Sequence, residues 1–187
     1  MEIFRDKYRT NTIRLKSWDY TTPWWYFVTI CTKNHKEFFG DIENNKMILN
    51  EYGKVAEECW RQIVIHCKKV ELDYFIIMPN HVHGIIIINE SNLSRDVACY
   101  VSTKKNNNFY SIISPQPNSL SSIIRSYKSA VKKQLTKKGF KHFQWQPRFY
   151  DRIIRDENEL FNIRKYIMQN PLKWDLEKDY PENYDGI

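Results

Sequence analysis

The stretch VELDYFIIMPNHVHGIIIIN, from Val70 to Asn89, contains two apolar runs separated by a short connection. The runs Val70–Pro79 and His81–Asn89 are rich in β-branched and aromatic residues, which favour β-strands. Proline and asparagine in the connection Met78-Pro79-Asn80 favour a tight turn. We therefore predict that the two runs form an antiparallel pair of strands.

Further predicted elements flank this pair on both sides. Apolar residues at spacings of three and four indicate helices, and aromatic or β-branched runs indicate strands. In chain order they are a strand from Trp24 to Lys33, a helix from Lys46 to about Lys69, a helix from Ser119 to about Lys138, a strand from Arg148 to Asp156, and a helix from Asp156 to Asn170 that Pro171 ends. The order β-α-β-β-α-β-α predicts an α+β fold, a ferredoxin-like or RRM-like sandwich with helices on one face of an antiparallel sheet.

The composition favours one folded domain. Of the 187 residues, 42% are hydrophobic and 15% aromatic, which is enough for a single core. We expect one domain over residues 1–187, with its core between about residues 24 and 174. The Ser- and Asn-rich segment Glu90–Asn118 has no sustained periodicity, and we interpret it as a mobile insertion loop. The N-terminus is charged and lacks the apolar run of a signal peptide, which favours a cytoplasmic protein.

The charge balance favours a polyanionic partner. Twenty-nine Lys and Arg residues against 22 Asp and Glu residues give a net charge of +7. Cations that pair with phosphates, combined with aromatic rings that stack on bases, hold single nucleic-acid strands. We predict such contacts for Arg125, Lys128, Lys132, Arg148, Tyr150 and Arg152. For the helix lysines, an alternative interpretation has equal weight: they form a helix face that is exposed to solvent and binds no DNA.

Two histidines in the second strand of the pair are candidate metal ligands. His81 and His83 are two residues apart, so their side chains leave the same face of a strand, roughly 7 Å apart. Two imidazoles in this arrangement can bind one metal ion. A pair of strand histidines also occurs as ordinary surface or core residues, so the pair needs support from other positions.

A phenol and an amide lie one turn apart on the last predicted helix. Tyr166 and Asn170 are four residues apart and share a helix face. A phenol is a plausible nucleophile beside a metal, and an amide oxygen is a hard ligand suited to Mg²⁺ or Mn²⁺. The alternatives are a core aromatic residue and a helix C-terminal asparagine before proline.

Three segments together resemble the REP-associated tyrosine transposases, IS200-like members of the single-tyrosine HUH nuclease superfamily. They are MPNHVHGII (Met78–Ile86), WQPRFYDRIIR (Trp145–Arg155) and YIMQNP (Tyr166–Pro171). The resemblance implies that His81, His83 and Asn170 bind a divalent metal, Mg²⁺ or Mn²⁺, and that Tyr166 is the nucleophile. It also implies cleavage and rejoining of hairpin-bearing single-stranded DNA through a 5′-phosphotyrosine, by a monomer or homodimer.

The chain departs from the family pattern at two places. Arg152 stands where the family often has histidine after the aspartate of the second segment, so we assign no catalytic step to Asp151 or Arg152. The segment Glu90–Asn118 is longer than the family pattern leads us to expect. Tyr127 is a competing nucleophile, but it lies on the apolar stripe of its helix and has Val131 four residues later, which cannot bind metal.

Two other functions compete with the nuclease. One is an RRM-like module that binds single-stranded nucleic acid through stacked aromatics without catalysis, although the chain has no RNP1 pattern. The other is a metal-dependent hydrolase that uses the histidines and an activated water. Only the tyrosine nuclease predicts a covalent adduct between protein and DNA.

Overall fold

A computed structural model describes residue 15, residues 17–90 and 116–179, and the backbone of two short strands near the N-terminus, with the side chains of residues 175 and 177–179 excepted. The strands are β1 (Ile3–Phe4), β2 (Lys7–Tyr8), β3 (Trp24–Cys31), β4 (Gly40–Glu43), β5 (Lys46–Leu49), β6 (Val70–Ile77), β7 (His81–Ile88) and β8 (Tyr150–Ile153). The helices are α1 (Glu51–Arg61), α2 (Ile63–His66), α3 (Leu120–Lys137) and α4 (Glu157–Asp179). Nearly all of the predicted insertion loop Glu90–Asn118 lies outside the described residues, and the single-domain organisation stays a prediction.

Four strands form an antiparallel sheet in the order β6-β7-β3-β8. The predicted pair is β6 and β7, and β7 also pairs along the whole of β3, with Thr29 opposite His83. The predicted α+β class is thereby confirmed, and so is the antiparallel sheet of the predicted sandwich. In the described part of the chain, no helix is long and apolar enough to cross a membrane.

The sheet buries apolar side chains on both faces. Tyr26, Val28 and Ile30 of β3 pack in a core with α1 and α3, the two helices expected on one face. One detail of the prediction needs correcting, because α4 packs on the opposite face against Ile85 and Phe27. The physical reason is that β3 and β7 carry apolar residues at successive positions, and both faces of such strands require cover.

The beginning of the first predicted helix is a strand. Lys46–Leu49 forms β5, which pairs with β4 across a turn at Asn44 and Asn45. Both asparagines have positive φ, 50° and 60°, the backbone conformation that closes a tight two-residue hairpin. Asn50 then caps α1 by accepting hydrogen bonds from two backbone amides, and Gln62 separates α1 from α2.

The prediction that Pro171 ends the last helix is wrong. The helix α4 continues through Pro171 to Asp179. A proline inside a helix removes one backbone hydrogen bond, which costs stability. Packing offsets that cost, because Pro171 is buried and the ring of Trp174, one turn later, lies 5.9 Å from the ring of His81.

Gly84 gives the first testable prediction. It lies on β7 against α1, and a Cβ at this position would lie 2.2 Å from the Trp60 ring. Gly84→Ala should therefore lower the free energy of unfolding by about 1–3 kcal/mol, measured by urea denaturation. Combining it with Trp60→Phe should recover part of the loss relative to the sum of the single changes. Simple additivity of the two changes would contradict the steric explanation.

Candidate active site

The two strand histidines lie side by side on the face of the sheet that α4 covers. The ring centroids of His81 and His83 are 4.4 Å apart. His83 is 5% exposed, and its ring stacks on Phe27 of β3 at 5.3 Å. The alternation of β7 thus places both imidazoles on one face of the sheet, as the sequence predicted, and α4 covers them there.

Each imidazole is held through its Nδ1 atom. The Nδ1 of His81 lies 2.7 Å from the side-chain oxygen of Asn80, and that of His83 lies 2.9 Å from the hydroxyl of Thr29. With the proton on Nδ1, each ring donates to these oxygens and keeps the lone pair of Nε2 free. Such contacts fix the tautomer and orientation of metal-binding histidines.

The helix α4 brings the phenol and the amide to the same place. The hydroxyl of Tyr166 lies 3.3 Å from Nε2 of His83, and the two rings are 5.2 Å apart. Asn170 is 6% exposed, and its side chain lies within interaction range of the His81 ring. The four residues singled out from sequence therefore form one cluster.

Two polar contacts fasten α4 to the sheet, and a third caps the start of the helix. The carboxylate of Asp156 accepts a hydrogen bond from the backbone amide of Glu159 at 2.8 Å and so caps the first turn of the helix. Glu159 in turn pairs with Arg152 of β8 at 2.5 Å. Close to the cluster, Arg164 pairs with Asp73 of β6 at 2.6 Å. These contacts fix both the start of the helix and the turn that precedes Tyr166.

Burial makes both imidazoles weak bases. Removal from water and, to a smaller extent, the neighbouring His35 together lower the pKa of His81 from 6.5 to about 4, although Asn170 opposes the change. Burial, together with the adjacent His81, holds the pKa of His83 well below its usual value. Both rings are consequently neutral at pH 7, which is the form that binds metal ions.

The cluster has the chemistry of a small metal site. The Nε2 atom of His81 is buried and has no hydrogen-bond partner in the described part of the chain. A buried polar atom without a partner is costly, and a bound cation would satisfy it. No group of three His, Cys, Asp or Glu side chains suited to metal occurs among the described residues, so a third protein ligand beside the two imidazoles would have to be another group, such as the amide of the buried Asn170. Two neutral imidazoles and an amide oxygen fit a divalent cation.

The residues predicted to bind DNA are divided between the two faces of the sheet. Tyr150 lies opposite Thr29, and Arg152 lies opposite Phe27, so both share the face of the histidines. The α3 lysines pack near the other face, where the ammonium of Lys128 donates to the carbonyl oxygens of Gln146 and Arg148.

Lys132 has the same internal role as Lys128. Its ammonium donates to the carbonyl oxygens of Lys141, at 3.0 Å, and Phe143. Burial lowers the pKa of Lys128 to about 8, which fits a lysine that is largely withdrawn from water. Both lysines hold the connection before β8, whereas Arg125 and Arg148 are exposed at the surface.

The competing nucleophile Tyr127 is a core residue. It is 2% exposed, its hydroxyl donates to the carbonyl oxygen of Ala56 at 3.2 Å, and its ring meets Trp60 edge to face. Burial raises its pKa well above 10.0. Packing and one hydrogen bond therefore account for Tyr127.

Sequence reasoning missed four residues of the cluster. Thr29 and Asn80 hold the imidazoles, Trp174 packs on His81, and the ammonium of Lys173 lies 5.1 Å from the centre of the Tyr166 ring. Asn80 could have been found from its place beside His81, and Lys173 from its place two helical turns after Tyr166. Thr29 lies 54 residues from His83 along the chain and had no local signal.

No family model matches the sequence. A protein of Haemophilus influenzae described as uncharacterized is 35% identical over 175 residues, which cover 91% of this chain and 92% of that protein. The chain belongs to the family of this protein.

A solved structure shares the fold. It is that of the REP-associated tyrosine transposase bound to a REP hairpin, with a TM-score of 0.50 and 18% sequence identity. The match covers 94% of this chain and 79% of the other. The fold expected from the three sequence segments is therefore confirmed.

The buried histidines predict a dependence of stability on pH. In metal-free protein, the free energy of unfolding should fall by about 3 kcal/mol as the pH is lowered from 6.5 to about 4. In this range the unfolded chain takes up a proton that folded His81 does not, and His83 acts in the same direction. His81→Gln should flatten the dependence in urea titrations at several pH values, with His142→Gln at an exposed position as the control. A slope that His81→Gln leaves unchanged would contradict this explanation.

Proposed function

We propose that the protein is a transposase-type endonuclease that cleaves and rejoins hairpin-bearing single-stranded DNA through a 5′-phosphotyrosine on Tyr166. One observation carries the proposal: the Tyr166 hydroxyl lies 3.3 Å from Nε2 of His83, within a cluster completed by His81 and the buried Asn170. A nucleophile beside a set of groups that can bind a metal ion is an arrangement suited to phosphodiester transfer.

The metal in this proposal is Mg²⁺ or Mn²⁺, held by His81, His83 and Asn170. When bound, it would supply charge stabilisation to the phosphate under attack. The imidazoles contribute by being neutral and fixed in orientation, because Asn80 and Thr29 hold their Nδ1 atoms. The low pKa of His81, about 4, keeps that ring a ligand throughout the physiological pH range.

In the proposed step, Tyr166 replaces the 3′ oxygen of the DNA in the ester bond to the phosphate. Its oxygen bonds to phosphorus, the bond from phosphorus to the 3′ oxygen breaks, the phenolic proton is lost, and the departing 3′ oxygen gains a proton. The ammonium of Lys173, 5.1 Å from the ring centre, favours the negative charge that develops on the phenol. The tyrosyl ester conserves the ester bond, so a second 3′-OH can reverse the step and rejoin strands.

Hairpin DNA is the proposed substrate for three reasons. The solved neighbour is bound to a REP hairpin, the chain carries a net charge of +7, and Tyr150 is an exposed aromatic side chain on the face of the histidines. Stacking on such a ring and pairing with arginines suit single strands that flank a duplex. We further propose that the protein acts in the cytoplasm as a monomer or homodimer.

Covalent capture tests the proposal. Incubation with hairpin-bearing single-stranded DNA and Mn²⁺ should give a protein–DNA adduct that survives denaturation and is detected by electrophoresis. Tyr166→Phe or EDTA should abolish the adduct, because each removes one partner of the reaction, while Tyr127→Phe should retain it. Binding without an adduct would favour the RRM-like module, and cleavage without an adduct would favour the hydrolase.

The hydroxyl of Thr29 tests the metal site separately from DNA. Thr29→Val should weaken Mn²⁺ binding about tenfold in calorimetric titrations, because His83 loses the oxygen that fixes its tautomer. Thr136→Val, which changes an exposed threonine of α3, is the matched control and should bind as the unmodified protein does. Equal affinities of the two variants would exclude this role for Thr29.

A further inference from the structure

A cleft lies beside the candidate active site and takes no part in the proposed chemistry. It has a volume of about 410 Å³ and opens between the β4–β5 hairpin, the end of α1, β6 and α4. This volume falls within the range of sites that bind small organic groups. The residues that the argument needs are Lys46, Met47, Arg61, Phe75, Met168 and Pro171, and we call this surface the hairpin cleft.

The hairpin cleft and the tyrosine site share a wall. Pro171 lines the cleft and directly follows Asn170 of the site. Ile76 also lines the cleft and lies opposite His83 in the pairing of β6 with β7. We therefore expect a DNA strand whose phosphate reaches Tyr166 to extend its neighbouring nucleotides toward the cleft.

The lining of the hairpin cleft combines an apolar floor with a basic rim. Met47, Phe75 and Met168 supply apolar surface, and Lys46 and Arg61 supply positive charge. A nucleobase has flat apolar faces and is attached to an anionic backbone, so both parts of this surface complement it. An uncharged apolar ligand would gain nothing from the rim.

Arg61 is held as a stacking platform. Its guanidinium lies 5.0 Å from the centre of the Phe75 ring and donates to Glu57 at 2.8 Å. Phe75 is itself stacked against the buried Trp60 at 5.8 Å. A guanidinium fixed in this way presents a planar surface on which an unpaired base can stack.

We propose that the hairpin cleft binds one unpaired nucleobase of the single strand that passes Tyr166, next to the phosphate that is cleaved. The inference rests on the proposed function and adds to it a protein pocket that reads one flanking nucleotide. Arg61 would provide stacking with the Phe75 ring supporting it from behind, Lys46 would contact the backbone, and Glu57 would accept a hydrogen bond from an exocyclic amine.

An abasic scan tests the cleft by binding alone. The probe is a fluorescent hairpin oligonucleotide with adenine tails on both sides, in which one tail position at a time is made abasic. Its affinity is measured by anisotropy with Tyr166→Phe protein, so that no cleavage occurs. We expect one position at which loss of the base weakens binding about tenfold, the size of one stacked base.

Arg61→Ala should remove that dependence, because the platform is gone and the abasic and intact probes then bind equally. Lys54→Ala is the matched control, since Lys54 lies on the same helix, pairs with Glu51 and is 63% exposed against 65% for Arg61. It should retain the full tenfold difference. A second pair compares Met168→Glu in the cleft with Phe161→Glu outside it, at 64% and 67% exposure.

The outcomes separate this inference from the proposed function. Absence of any base-dependent position, or a dependence that survives Arg61→Ala and Met168→Glu, would overturn the cleft as a base pocket. A uniform loss at every probe with Arg61→Ala would also overturn it, because it indicates only a phosphate contact. Failure of the proposed function would instead appear as a missing covalent adduct in the capture experiment, whatever the abasic scan shows.

Discussion

The packing of α4 against the second apolar face of the sheet is the contact on which the candidate site depends. Ile163 and Ile167 of this helix are buried against Ile85 of β7, and Tyr166 lies between them in sequence. Burial of one such side chain contributes about 1.5–3 kcal/mol, more than the net contribution of a typical hydrogen bond. The 3.3 Å approach of Tyr166 to His83 is therefore set by hydrophobic packing and not by the polar contact itself.

The same packing places polar groups where water is scarce. His83 and Asn170 are buried, and the Nε2 of His81 is removed from solvent without a partner among the described residues. An unsatisfied buried group costs about 1–3 kcal/mol, so the fold gives up stability at this cluster. Such local cost is common where a protein keeps atoms ready for a ligand.

The sequence predicted the cluster well because its spacing rules are local. Alternation along β7 pairs His81 with His83, and one helical turn pairs Tyr166 with Asn170. It did not predict that α4 covers the second face, although the uninterrupted isoleucines of β7 are typical of a strand buried on both sides. The role of Lys128 was also beyond local rules, because it depends on where the distant carbonyl oxygens of Gln146 and Arg148 lie.

The short motif that contains Gly84 satisfies two unrelated structural requirements. The histidines of HVHG face α4, whereas the glycine on the next position faces α1, where the Trp60 ring leaves no room for a methyl group. The requirement for the histidines comes from ligand chemistry, and the requirement for the glycine comes from the distance between α1 and the sheet. A change at either histidine therefore leaves untouched the spacing between α1 and the sheet, because Gly84 sets that spacing on the opposite face.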